Sequence, residues 1–115
     1  MSPLDTASAL AIASDDEFQA WLETNGRAAS EIVIAICNKR SGRQTVGLVD
    51  LQEVALCFGW VDTQTKRIDS ERYAIRFVPR RPRSNWSSNN RAMARRLLAE
   101  GRIASAGLAT LPPDL

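Results

Sequence analysis

Trp60-Val61-Asp62-Thr63-Gln64-Thr65-Lys66-Arg67-Ile68, then Asp69-Ser70-Glu71-Arg72, then Tyr73-Ala74-Ile75-Arg76-Phe77-Val78: the reading of this stretch decides the fold. A polar, turn-rich break between two β-like segments predicts an antiparallel hairpin over 60–68 and 73–78. Side chains alternate across a strand, so Tyr73, Ile75 and Phe77 share one face. That face looks into the core. Ala74, Arg76 and Val78 then point the other way. Pro79 and Pro82 end the sheet, since proline has no N–H for a ladder bond.

Upstream, Glu31 to Asn38 carries Ile32, Val33, Ile34, Ala35, Ile36 and Cys37. This β-branched run reads as a central strand buried on both faces. Ala9 to Ala13 reads as a short strand. Ser14 and Glu17 fit a capping box for a helix over 15–25, and Asp15 and Asp16 suit the positive end of its dipole. Phe18, Trp21 and Leu22 give it one apolar face. Asn25-Gly26 is expected to stop it with a left-handed glycine. Asp50 and Glu53 predict a second capping box and a helix over 51–58, closed by Gly59. Ser87 is a good N-cap for a last helix over 88–100, with Met93, Ala94, Leu97 and Leu98 as its apolar stripe and Gly101 as its stop. Ile103 to Leu111 adds a short helical turn. The sum is one α+β domain, residues 1–115: a small, mostly antiparallel sheet packed with about three helices.

Composition excludes several function classes. The chain has no histidine, which removes the commonest general base and metal ligand together. Cys37 and Cys57 stand alone and read as small buried apolar residues. Phosphate-loop and dinucleotide glycine patterns are missing, and no cofactor or metal is expected. No run approaches the roughly 18 apolar residues of a membrane span. Ala7 to Ala13 is apolar, but no Lys or Arg precedes it, so it reads as folded structure and the protein as cytoplasmic.

Charge is unevenly spread. Residues 1–59 hold four Lys/Arg against eight Asp/Glu, and residues 60–105 hold eleven against four. A basic half implies an anionic partner or salt bridges to the acidic half. The basic residues gather where the hairpin exit meets the last helix. There Arg80, Arg81 and Arg83 precede Ser84, Trp86, Ser87 and Asn90. A helix N-terminus attracts anions, and guanidinium groups clamp phosphate or carboxylate bidentately. The candidate ligand-binding set is Trp60, Asp62, Arg67, Arg76, Arg80, Arg81, Ser84, Trp86, Ser87 and Asn90, with the two tryptophans as walls. The plain structural reading stands beside it: Ser87 caps a helix, Trp86 packs in the core, and Asp62, Asp69, Arg67 and Arg76 form cross-strand pairs.

The leading function is a non-enzymatic binding domain for an anionic small molecule or protein partner. One alternative is an enzyme that uses Asp62 on an anionic substrate held by arginines. Another is a nucleic-acid module built on Trp60, Tyr73, Phe77 and Trp86. The inward alternation of Tyr73 and Phe77 and the modest net charge of +2 disfavour nucleic acid.

Leu56-Cys57-Phe58-Gly59-Trp60-Val61-Asp62, Arg67, Asp69, Tyr73 through Arg81, and Ser84-Asn85-Trp86-Ser87 with Asn90 resemble the YdeI/OmpD-associated family, also called bacteriocin-protection proteins. The resemblance takes in most of the chain, about residues 10 to 111. It implies a small α+β bacterial protein with a role in envelope stress or resistance to antimicrobial peptides. It brings no catalytic residues. Family members often continue past a segment like Pro112-Pro113-Asp114-Leu115 into a second, helical region, whose functions do not carry over here.

Overall fold

The computed structural model describes residues 4–81 and 84–115. The expectations at Pro82 and Arg83 lie outside the described residues. Four strands form one sheet in the order β1-β2-β4-β3: β1 Leu10–Ala11, β2 Ile32–Cys37, β3 Trp60–Arg67 and β4 Arg72–Pro79. β1 runs parallel to β2, while β2/β4 and β3/β4 are antiparallel. The hairpin and the mostly antiparallel sheet thus match the sequence reading within a residue or two.

β4 is flanked along its length, with Ile34 of β2 opposite Ile75 and Asp62 of β3 opposite Phe77. Its alternation sorts the side chains as expected. Ile75 and Phe77 are fully buried against the helical layer, with Ile32, Ile34, Ile36 and Trp60. The helices are α1 Asp15–Asn25, α2 Leu48–Cys57, α3 Ser88–Ala99 and the short α4 Ser105–Leu108. Phe18 of α1 meets Phe77 with ring centroids 5.0 Å apart. α2 sits in the middle of the layer, touching α1, β3, α3 and α4. That placement explains why Leu51, Val54, Ala55, Leu56 and Cys57 are all buried. A second cluster joins Leu56 and Cys57 to Ala94 and Leu97 of α3.

One helix boundary and one helix cap depart from expectation. α2 starts one turn early because Gly47 is its N-cap, and Asp50 Oδ2 accepts from the Gly47 N–H at 3.1 Å. Asp50 therefore occupies the third helical position rather than the cap. Glu53 is left free to pair with Arg96 and Arg102. Gly26 is not left-handed: its φ of −61° continues the helical twist. The chain leaves α1 through a further turn, in which the Ala28 and Ala29 N–H groups donate to Asn25 O.

The face of the sheet opposite the helices is also covered, in keeping with the reading of the Ile32–Cys37 strand as buried on both faces. Leu4, Val33 and Ala74 are buried there, with Ala9 and Ile68 packed against them.

Gly59 sets the hairpin against α4. Its φ is +80°, and a Cβ there would lie 2.8 Å from Ala106 O and 2.9 Å from the Thr110 methyl. Gly59→Ala combines a left-handed backbone penalty with overpacking, so a loss of at least about 2 kcal/mol is expected in urea denaturation. A variant as stable as the parent would contradict this packing.

Candidate functional site

The corner where the hairpin exit meets α3 is organised differently from the sequence expectation. Trp60 opens β3 on the helical face and is only 3% exposed. Its ring meets Trp21 edge-on at 5.8 Å. It is a core residue and walls no site. Asp62 lies two residues along on the same face and is half-buried, with Gln52 Nε2 3.4 Å from both carboxylate oxygens. Ser87 caps α3, its Oγ accepting from the Asn90 N–H at 3.1 Å. Asp62, Ser87 and Asn90 do come together, lining a cleft of about 560 Å³ with Gln52, Asn89 and Met93. Gln52 and Asn89 escaped the sequence reading because each looks like any polar residue on an exposed helix turn.

The expected arginines are not among the lining residues of that cleft. Arg80 lies over Trp86, its guanidinium carbon 3.7 Å from the ring centroid. This cation–π contact is worth ~1 kcal/mol when partly desolvated. Burial draws the Arg80 pKa down, and the nearby Asp62 carboxylate offsets part of that. Trp86 packs in turn on the α2–α3 cluster. Arg81 is exposed and Ser84 is half-buried, with the Ser84 N–H donating to Arg81 O at 3.2 Å. Trp86 and Ser87 thus follow the plain structural reading.

Arg76 is a further correction to the expected site. It projects from the face opposite Asp62, as alternation predicts, but there it is 2% exposed. Nη1 donates to Gln64 Oε1 at 2.8 Å, and Nε lies 3.5 Å from Glu31 Oε2. A guanidinium buried and paired in this way ties β4 to β3 and to the start of β2.

Arg67 sits at the far end of β3, opposite Tyr73. Its Nε donates to Asp69 O at 3.1 Å. Asp69 organises the hairpin turn. Its Oδ1 accepts from the Glu71 and Arg72 N–H groups at 2.9 and 2.8 Å, and its Oδ2 accepts from Arg72 Nε and Nη2 at 3.1 and 3.0 Å. The Glu71 N–H bond and the Arg72 guanidinium hold the Asp69 carboxyl below its ordinary range. The aspartate–arginine pair is therefore local to the turn, not cross-strand.

Beside this turn lies a basic depression. Asn38, at the end of β2, donates from Nδ2 to Ser70 O at 3.1 Å and from its N–H to Glu71 O at 2.7 Å. It also accepts from the Ser41 N–H at 3.0 Å. These bonds fasten the 3-10 turn Lys39–Ser41 to the hairpin turn, and an Arg43–Glu71 ion pair adds to them. Lys39 and Arg40 are thereby set next to Arg67 and Arg72 around a hollow of about 440 Å³. The only carboxylate among its lining residues is Asp69. Among the described residues, Lys39, Arg40 and Arg67 make no ion pair.

Elsewhere part of the basic half is neutralised internally. Glu53 accepts from Arg96 and Arg102, which also reach Glu100, and Arg91 pairs with Asp114. Among the described residues, no group of three or more Asp, Glu or Cys side chains is arranged to hold a metal ion.

Arg76→Ala strips a buried charge-assisted network, so about 2 kcal/mol or more of stability is expected to be lost in urea denaturation. Phosphate-induced amide shifts in the refolded variant should match the parent, which a ligand-binding role for Arg76 would forbid. Asp69 gives a pH test. Its folded pKa is depressed, so its stabilisation is complete at neutral pH. It begins to fade as pH enters the ordinary carboxylate range and is gone below the folded pKa. Carboxyl NMR should give a midpoint below that of a denatured-chain aspartate, and a midpoint at or above it would refute the turn network.

No curated protein and no solved structure matches this chain. A family model described as a domain of unknown function, DUF8412, matches residues 10–110, and the chain belongs to that family.

Proposed function

We propose that this domain is a non-enzymatic binding module for an anionic ligand or partner, and that it binds at the hairpin-turn end of the sheet. One observation carries the reading: Lys39, Arg40 and Arg67, which make no ion pair among the described residues, line one depression with Arg72, whose guanidinium already holds the carboxylate there, Asp69. Exposed cations gathered on a fixed backbone create a positive field and supply forked donors for phosphate or carboxylate. The cleft at the corner offers the reverse balance, with Asp62 and no cation among its described lining residues. An enzyme built on Asp62 would need arginines that instead serve Gln64 and Trp86. A nucleic-acid platform would need rings that are spent in the core, Trp60 and Phe77.

In this reading the protein acts in the cytoplasm. Among the described residues, no helix is long and apolar enough to cross a membrane. On the residues that resemble the YdeI/OmpD-associated family, we extend the proposal to a role in envelope stress or antimicrobial-peptide resistance.

Pyrophosphate and orthophosphate titrations, followed by amide shifts, test the site. Saturable shifts are expected at residues 38–40 and 67–73. The double variant Arg40→Ala, Arg67→Ala should weaken binding at least about tenfold, the worth of one charge-assisted hydrogen bond. Affinity should fall with added salt. Saturable shifts confined to 84–90, or none up to about 10 mM ligand, would overturn the assignment.

A further inference from the structure

The basic depression does not end at Tyr73. Asn38, Lys39 and Tyr73 also line a second hollow of about 580 Å³ on the other side. Its wall includes Val46, Leu48 and Val49 at the start of α2, and Val49 is 57% exposed. That is a large exposure for a valine inside a helix. Gln44 and Thr45 add hydrogen-bonding groups beside the apolar wall. The charge gradient across the pair is steep. Arg40, Arg67 and Arg72 belong to the first hollow alone, whereas Asp50 belongs to the second. Between them stands the half-buried Tyr73 ring, whose hydroxyl pKa burial raises. A ligand filling both would carry its negative charge at one end and an uncharged, partly apolar body at the other. Each hollow is within the size range of small-molecule sites, about 300–1,000 Å³.

We infer that the anion bound at the hairpin turn is the phosphate of a nucleoside monophosphate, with its nucleoside lying across Tyr73 against Val46, Leu48 and Val49. The inference rests on the anion site proposed above. The phosphate takes the place among Lys39, Arg40, Arg67 and Arg72. Tyr73 offers the base a ring surface, since aromatic contacts of this kind accept any base. Gln44 and Thr45 face the polar edges of the nucleoside.

The test compares orthophosphate, adenosine monophosphate, uridine monophosphate and adenosine on the full chain. Orthophosphate and the monophosphates carry similar charge near neutral pH, so a difference between them reports the nucleoside. Each monophosphate should bind at least tenfold more tightly than orthophosphate. Saturation transfer should link ligand ring protons to the Tyr73 ring and the Val49 methyls. Tyr73→Leu, a residue that lines both hollows, should lower monophosphate affinity at least about tenfold more than it lowers orthophosphate affinity. The saturation-transfer readout needs no variant, so it holds even if Tyr73→Leu fails to fold. Equal affinity for orthophosphate and monophosphates, without transfer to Tyr73 or Val49, would overturn this inference and leave the anion site standing. Adenosine binding as tightly as its monophosphate would overturn this inference alone, whereas the absence of any shift with all four compounds would overturn both.

Discussion

The alternation of β4, held between β2 and β3, is the constraint on which the rest of the molecule depends. Each of its side chains must go to one face or the other, and the flanking ladders forbid a slip of one residue. Ile75 and Phe77 go to the helical layer, where Phe77 meets Phe18. Ala74 and Arg76 go to the face that the N-terminal segment covers, beside Leu4 and Val33. Both turns of interest are then placed by the length of one strand. Arg72 and Tyr73 begin it at the hairpin turn, and Pro79 ends it at the corner.

That placement divides a stretch that is continuous in sequence. From Arg67 to Arg81 five arginines lie within fifteen residues, and they look like one basic surface. The strand disperses them. Arg76 is buried and paired across the sheet, Arg80 lies on Trp86, and Arg67 and Arg72 remain at the opposite end. Farther on, Arg91, Arg96 and Arg102 meet carboxylates. Such solvent-screened pairs contribute little to stability, so their main effect is on the field around the protein. With those charges cancelled, three cations that make no ion pair among the described residues, Lys39, Arg40 and Arg67, adjoin at the hairpin turn, and the first two belong to the acidic half.

The fold was largely legible in the sequence because its signals are local. Period-two alternation in 73–78, the β-branched run before Cys37, and the caps at Ser14 and Ser87 each act within a few residues. The site was legible only in part, because its contacts join distant segments. Asn38 meets Ser70 across 32 residues, and no motif announces that bond. Lys39 and Arg40 read as an ordinary polar turn, although pairing of Cys37 with Arg72 already implies that they lie beside the hairpin turn. Trp60 misled for a different reason. A tryptophan at a strand start serves a pocket or a core equally well, and here Trp21 of α1 covers it. Arg76 misled because alternation specifies a direction but says nothing about what lies there.

A single irregularity in β3 links the structural arginine to the binding arginine. The β3–β4 register shifts between Asp62 and Gln64, which leaves Thr63 as an extra residue. Before the bulge, Trp60 and Asp62 share the helical face. Without it, strict alternation would put Gln64 and Lys66 on that face too, and would send Arg67 to the other. The bulge reverses this. Gln64 now stands opposite Arg76 on the covered face, where the two bond at 2.8 Å. Arg67 now stands opposite Tyr73 on the helical side, in the same hollow as Lys39 and Arg40. One inserted residue thus supplies the partner that lets Arg76 be buried and delivers a cation to the basic depression. Bulges also twist an exposed edge strand away from pairing with other chains. At Thr63 edge protection, burial of a charge and assembly of the candidate site follow from the same local change.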